Sequence, residues 1–320
     1  MLFYSILFLV SCLLLIASGG WLIRSLSGIS EFLGLKEFTV AFLLMSLATA
    51  TPELFIGIGS ALNGISELSL GNILGQNIIH FTVAIFICVL IRGSFSVRSK
   101  TTRITAFFSS FMAIFPLLLI LDGSLSRVDG FILIGLFVFY MAWMVKKGRR
   151  FDNEYDISTT DNHLSFLKKT ELLLKNIGLF ILGAGLLILA SQGIVSSATF
   201  FAKSLDMPLI LIGILIVSLG TALPEIYFSA YSAKKGDSEI MAGNLLGSTV
   251  VSTSLVLGLV SIISPITGIE LFSYFTSRLA LFISVILFIY FMLSGRKISR
   301  KESWALLGIY IVFVSLQILS

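Results

Sequence analysis

The stretches MSLATATPE at residues 45–53 and VSLGTALPE at residues 217–225 decide how this chain is read. They lie 172 residues apart, and the same offset lays Ser60-Ala61 on Ser232-Ala233 and Ser66-Glu67 on Ser238-Glu239. It also lays Gly71-Asn72 on Gly243-Asn244 and Leu74-Gly75 on Leu246-Gly247, with no gap. Self-similarity at a fixed offset marks a duplicated architecture. The repeated positions are largely polar, so the duplication concerns a site as well as a scaffold.

Around these stretches the chain is strongly apolar, with 57% hydrophobic and 12% charged residues and a mean hydropathy of +1.03. That exceeds the apolar share of soluble domains. Long apolar runs broken by short polar clusters fit helices of about 20 residues crossing a hydrocarbon core about 30 Å thick. The alternation of a membrane barrel is missing. The runs predict spans at 2–24, 38–62, 66–91, 103–121, 128–146, 171–202, 208–233, 239–265, 270–294 and 303–319. The expected fold is therefore an all-α integral membrane protein of ten transmembrane helices. The first span has no basic n-region and reads as a retained helix, not a signal peptide. Cys12 and Cys88 lie inside apolar runs and read as core residues, without a disulfide or thiolate metal site.

The net charge of +5 belongs to topology; nucleic acid is not an expected partner. With the N-terminus outside, 19 of the 22 Lys and Arg residues fall on the inner side, leaving Arg127, Lys203 and Arg278 on or near the outer side. The polar stretch 148–170, with Asp152, Glu154, Asp156, Asp161 and His163, reads as a cytoplasmic linker. It lacks the glycine turn and ligand spacing of a calcium loop. It divides the chain into a first five-helix repeat, 1–147 with its motif at 45–80, and a second, 171–320 with its motif at 217–252. An odd number of spans per half turns the second half upside down. Inverted repeats place substrate sites at the midplane between them.

In each motif a proline precedes the glutamate: Pro52 before Glu53, and Pro224 before Glu225. Proline lacks an N–H and clashes with the carbonyl four residues back, here Ala48 and Gly220, so kinks and freed carbonyls are expected. Thr49 and Glu53, and likewise Thr221 and Glu225, are four apart and share a helix face. Oxygen ligands of this kind suit hard cations and disfavour zinc or copper. A carboxylate buried in a membrane is functional by default, and here it occurs twice at matched positions. One helix later, Asn72, Gln76 and His80 form a stripe that Asn244, Ser248 and Ser252 repeat. Asn72 and Asn244, nearest the helix starts, read as structural, and Gly71, Gly75, Gly243 and Gly247 as close-packing positions.

TATPE with GNILGQN, and TALPE with GNLLGST, resemble the two alpha-repeats of sodium/calcium exchangers in the cation/calcium antiporter superfamily. The resemblance covers effectively the whole chain. It implies principal calcium and sodium ligands at Glu53 and Glu225, and hydroxyl or carbonyl ligands at Thr49 and Thr221. It further implies carbonyl ligands at Ser46 and Ser218, and a ligand at Ser248. The chain departs from the family pattern in several places. Ala50 and Ala222 stand where the family has serine, Gln76 replaces the serine of the first GNxxGS, His80 an asparagine, and Ser252 an acid. Gln76, His80 and Ser252 are kept in the expected ligand set, and they leave the coupling ion open.

The expected activity is antiport of calcium against sodium by alternating access, with no enzymatic chemistry and no resident cofactor. A related antiporter coupled to protons or potassium, or carrying another divalent cation, is the alternative. A channel would draw its ligands from several subunits, and an intramembrane enzyme would need a metal pair or nucleophile that is not seen. The expected setting is the cell membrane, with the bilayer as partner and a monomer as the working unit.

Overall fold

A computed structural model describes residues 1–32, 46–47, 49–96, 99–151, 166–236, 238–269, 274–295 and 297–319. The start of the expected span 38–62, the middle of the linker, and Lys36, Arg98 and Arg296 lie outside the described residues.

The apolar runs form helices because a helix satisfies its own backbone where water is absent. We label α1 (Leu2–Phe32), α2 (Thr51–Leu62), α3 (Glu67–Arg92), α4 (Lys100–Leu119) and α5 (Arg127–Phe151), then α6 (Phe166–Leu205), α7 (Leu209–Lys235), α8 (Ser238–Ile263), α9 (Phe275–Gly295) and α10 (Arg300–Leu319). Eight of these, all but α2 and α10, contain a stretch long and apolar enough to cross a membrane. Helix enters both ends of the polar stretch 148–170, since α5 runs to Phe151 and α6 begins at Phe166. The fold is mostly helical, as read from the sequence. Cys12 and Cys88 are buried and unlinked.

Left-handed glycines end the two helices nearest the site. Gly93 (φ 91°) follows α3 and Gly236 (φ 85°) follows α7, conformations that cost other residues a Cβ clash. The starts of α5 and α10 carry the same device. Asp129 Oδ2 accepts from the backbone N–H of Ser126 at 2.8 Å, and Glu302 Oε2 from that of Ser299 at 2.7 Å. Each carboxylate thus binds one of the donors left over at a helix start.

Burial sorts the helices into a centre and a periphery. In α3 and α8, 78% of the membrane-length stretch is buried, against 11% in α6. α1 and α6 lie against each other along the outside. α3, α7 and α8 each contain a π-helical turn, at His80–Ala84, Gly213–Val217 and Val251–Val256. The turns in α3 and α8 sit at positions matched by the sequence repeat.

The loop connections are reciprocal too. The loop after α3 pairs with the loop before α10 as a two-residue antiparallel ladder, β1 (Phe95–Ser96) with β2 (Lys297–Ile298). The loop after α8 pairs with the loop before α5 through Leu125 and Ile266, whose N–H groups bond each other's carbonyls at 2.7 and 3.1 Å.

α3 and α7 cross at backbone contact. A Cβ on Gly71 would strike the carbonyl of Ile210, and one on Gly75 that of Ile214. From the other side, a Cβ on Gly213 would stand 2.6 Å from the Leu68 carbonyl oxygen. This crossing uses the small residues that let membrane helices approach. Gly71→Ala is expected to force α3 from α7 and to cost about 1–3 kcal/mol. It should lower the melting temperature of the detergent-purified protein, whereas Gly135→Ala, with nothing within 4 Å of the added Cβ, should leave it unchanged.

Candidate functional site

The two repeated motifs fold differently around their prolines. In the first, Ser46, Leu47 and Thr49 are helical, the chain turns at Ala50 (φ −80°, ψ 2°), and Pro52 and Glu53 occupy the first turn of α2. Proline suits that position because its missing N–H would have no partner there. Ala48 lies outside the described residues. In the second, Pro224 sits inside the continuous helical segment Ser218–Lys235 of α7. That segment is entered from a π turn in which the Ser218 N–H bonds the Gly213 carbonyl. The kink expected twice is thus a break at Ala50 in one copy, while helix persists through the proline in the other.

Both glutamates are completely buried. Gln76 Nε2 donates to Glu53 Oε1. Glu53 Oε2, Glu225 Oε1 and Glu225 Oε2 have no hydrogen-bond partner. Thr221 lies beside the Glu53 carboxylate. Among the described residues no lysine or arginine pairs with either. Unpartnered carboxylate oxygens in a medium of low dielectric are costly unless something positive meets them. A proton or a cation can meet that need.

The surrounding hydroxyls and amides cross from one copy of the motif to the other. Thr49 Oγ1 donates to Asn244 Oδ1 at 3.2 Å, and Thr221 Oγ1 to Asn72 Oδ1 at 2.9 Å. The repeat offset converts one bond into the other. Asn244 Nδ2 donates onward to the Glu225 carbonyl at 3.2 Å and to Ser229 Oγ at 2.9 Å. The Ser46 and Ser218 carbonyls accept from Thr49 and Thr221 at 3.4 and 3.3 Å. Asn77 Nδ2 reaches Thr253 Oγ1 at 3.1 Å, and His80 Nδ1 lies 3.0 Å from Thr249 Oγ1.

The remaining expected residues are all buried here. Gln76 touches Glu53 and leaves its Oε1 unpartnered. His80 is held through Nδ1, and its Nε2 has no partner. Ser248 and Ser252 direct their hydroxyl protons into their own helix, to the carbonyls of Leu245 (3.2 Å) and Ser248 (2.8 Å). Among the described residues no three of His, Cys, Asp and Glu gather into one metal cluster. The sequence reading missed Ser229, Thr249, Asn77 and Thr253, and gave Asn72 and Asn244 only a structural part. The signal available was spacing: Asn72 follows Thr49 at the interval by which Asn244 follows Thr221.

A family model described as sodium/calcium exchanger protein matches residues 3–146 and 175–319. The chain is 27% identical over 267 residues to the inner membrane protein YrbG of Escherichia coli, covering 83% of this chain and 81% of that protein. It is 23% identical over 344 residues to the sodium/calcium exchanger MaX1 of Methanosarcina acetivorans, with 97% of each covered. Among solved structures it is similar to the sodium-calcium exchanger NCX_Mj soaked with 10 mM Na+ and 10 mM Sr2+, at 24% identity and a TM-score of 0.67. That match covers 98% of this chain and 99% of the other, and it shows the shared fold.

Gln76 occupies one oxygen of Glu53 with an N–H donor, so its removal adds one more unsatisfied buried acceptor. Gln76→Leu is expected to destabilise the protein in cation-free detergent by about 1–3 kcal/mol, read as a lower melting temperature. Part of that loss should be regained when a bound cation replaces the donor. A variant that melts like the unmodified protein in cation-free buffer would show that the bond contributes nothing.

Proposed function

The chain belongs to the sodium/calcium exchanger protein family, and from that premise we propose that it exchanges calcium for sodium at a midplane site built on Glu53 and Glu225. It is a multi-pass membrane protein of a cation antiporter family. In our reading, two inverted five-helix repeats, residues 1–147 and 171–320, flank a cytoplasmic linker at 148–170, and the N-terminus lies outside. The cell membrane is the proposed setting and a monomer the proposed working unit. The reciprocal loop pairings support the inversion, and the basic loops before α4 and α10, brought together by β1 and β2, support an inner face at that end.

The observation that carries the proposal is the pair of fully buried carboxylates with three oxygens unpartnered and no cationic side chain attached. A charge of −2 cannot be moved through a low-dielectric barrier unless it is neutralised. One calcium ion or a set of sodium ions does this. Because both use the same oxygens, they load in alternation, and a site that switches access only when neutralised couples one flux to the other. Thr49, Thr221 and Ser248 supply further oxygens, and Ser46 and Ser218 supply carbonyls. Gln76, through Oε1, and Ser252 complete an oxygen shell of the kind hard cations prefer.

A second reading rests on His80. Its Nε2 is a buried, unpartnered nitrogen on the same stripe as Gln76, and Ser252 supplies no third carboxylate. Both features favour a coupling ion or divalent cargo other than the sodium and calcium pair.

The test is calcium-45 uptake into proteoliposomes loaded with sodium and diluted into sodium-free buffer. Uptake driven by the outward sodium gradient is expected, and Glu53→Gln and Glu225→Gln should each reduce it by about 100-fold or more. Uptake that ignores sodium but follows a proton or potassium gradient would replace the first reading by the second.

A further inference from the structure

We propose that Asn72 and Asn244 are positioning residues that each aim the threonine of the opposite motif, so that both threonine hydroxyls are set in trans. This deepens the cation-site reading above and rests on it.

A hydroxyl has one proton and two lone pairs. To ligate a cation it must turn its lone pairs to the ion and spend its proton elsewhere. Thr49 reaches Asn244 Oδ1 at 3.2 Å and Thr221 reaches Asn72 Oδ1 at 2.9 Å, each shorter than the competing contact to a carbonyl of its own helix at 3.4 and 3.3 Å, so the asparagine oxygen is the nearer acceptor for that proton.

The orientation of the Asn244 amide is fixed by its surroundings. Its two N–H donors are both engaged, one on the Glu225 carbonyl and one on Ser229 Oγ. The amide therefore presents Oδ1, not Nδ2, to Thr49, which settles a choice that geometry alone leaves open. A flipped amide would push N–H groups at the threonine and reverse the hydroxyl. On the other side, Thr221 Oγ1 stands beside Glu53, and in the proposed arrangement its proton goes to Asn72 Oδ1, 2.9 Å away. Two acceptors, hydroxyl oxygen and carboxylate, then face each other, and a cation is what bridges them.

The two halves are not equally braced. The position matching Ser229 is Gly57, which offers no hydroxyl, and a Cβ there would stand 2.9 Å from Val256 and 3.1 Å from Ser69 Oγ. Asn72 lacks the side-chain brace that holds Asn244.

The bonds run Thr49 to Asn244 and Thr221 to Asn72, each between opposite motifs, so double-mutant cycles separate positioning from packing. The readout is the half-saturating cation concentration for thermal stabilisation of the detergent-purified protein. The probes are sodium, calcium, potassium and manganese, and the one that stabilises the unmodified protein is carried through. Stabilisation by potassium or manganese alone would overturn the sodium and calcium reading without touching this one.

Asn72→Ala and Thr221→Val are each expected to raise the half-saturating concentration by about 5- to 50-fold. The double variant should be little worse than either, and Thr49→Val with Asn244→Ala should behave alike. Thr49→Val with Asn72→Ala, and Thr221→Val with Asn244→Ala, should instead multiply their effects. Thr221→Ser, which keeps the hydroxyl, should retain the dependence on Asn72. Should an alanine variant fail to fold, serine replaces alanine in the cycle and retains a small polar side chain. Multiplicative effects in the trans pairs, or coupling confined to the cis pairs, would overturn the assignment.

Discussion

Two carboxylates without a cationic partner, sealed inside a bundle of apolar helices, set the terms for everything around them. A single uncompensated charge in such surroundings costs several kcal/mol even after local relaxation. Among the described residues no lysine or arginine relieves that cost. The structure supplies instead hydroxyls, amides and carbonyls, groups that stabilise a cation once present and cannot replace it. In the proposed reading such a site is complete only with its cargo, and a transporter requires that incompleteness.

The helices that carry the site are also those with least freedom. α3 and α8 are the most buried of the membrane-length helices, and α3 meets α7 at backbone distance through Gly71, Gly75 and Gly213. The π turns fall within these three helices; the candidate residues His80 and Ser252 lie inside two of them, and Ser218 directly follows the third. A π turn shifts the register of the backbone ladder and re-aims the side chains beyond it, which is why such turns collect at functional sites. The pair α1 and α6 is the less buried and lies outside this centre.

Much of this was legible in the sequence because the repeated residues are polar, and polarity in an apolar chain is conspicuous. MSLATATPE and VSLGTALPE drew attention to Glu53, Glu225, Thr49 and Thr221, which the structure buries, and the apolar runs pointed to the long apolar helices. What the sequence concealed was partnership across helices. Spacing places Asn72 and Asn244 on stripes, but only tertiary packing shows that each stripe reaches the threonine of the other motif. The prolines were read as equivalent, yet one opens a helix after a turn at Ala50 and the other lies within one. Identical local chemistry was resolved differently by the neighbours each copy packs against. The polar stretch at 148–170 likewise read as linker throughout, while α5 and α6 extend into it from both ends, because a helix already nucleated in the membrane adds residues at little cost.

The crossed threonine and asparagine bonds have an implication for ancestry. A half-chain holding one motif contains a donor and an acceptor that do not meet each other, so alone it cannot close its own network. Two copies of the same half, placed in opposite orientations, would close it symmetrically, each supplying what the other lacks. That is an isologous interface, and it makes an antiparallel homodimer the smallest assembly able to form this frame. If the repeats are inverted as proposed, a fused chain has no need to insert one polypeptide both ways up. Fusion also frees the copies to diverge, as Gly57 and Ser229, or His80 and Ser252, have done.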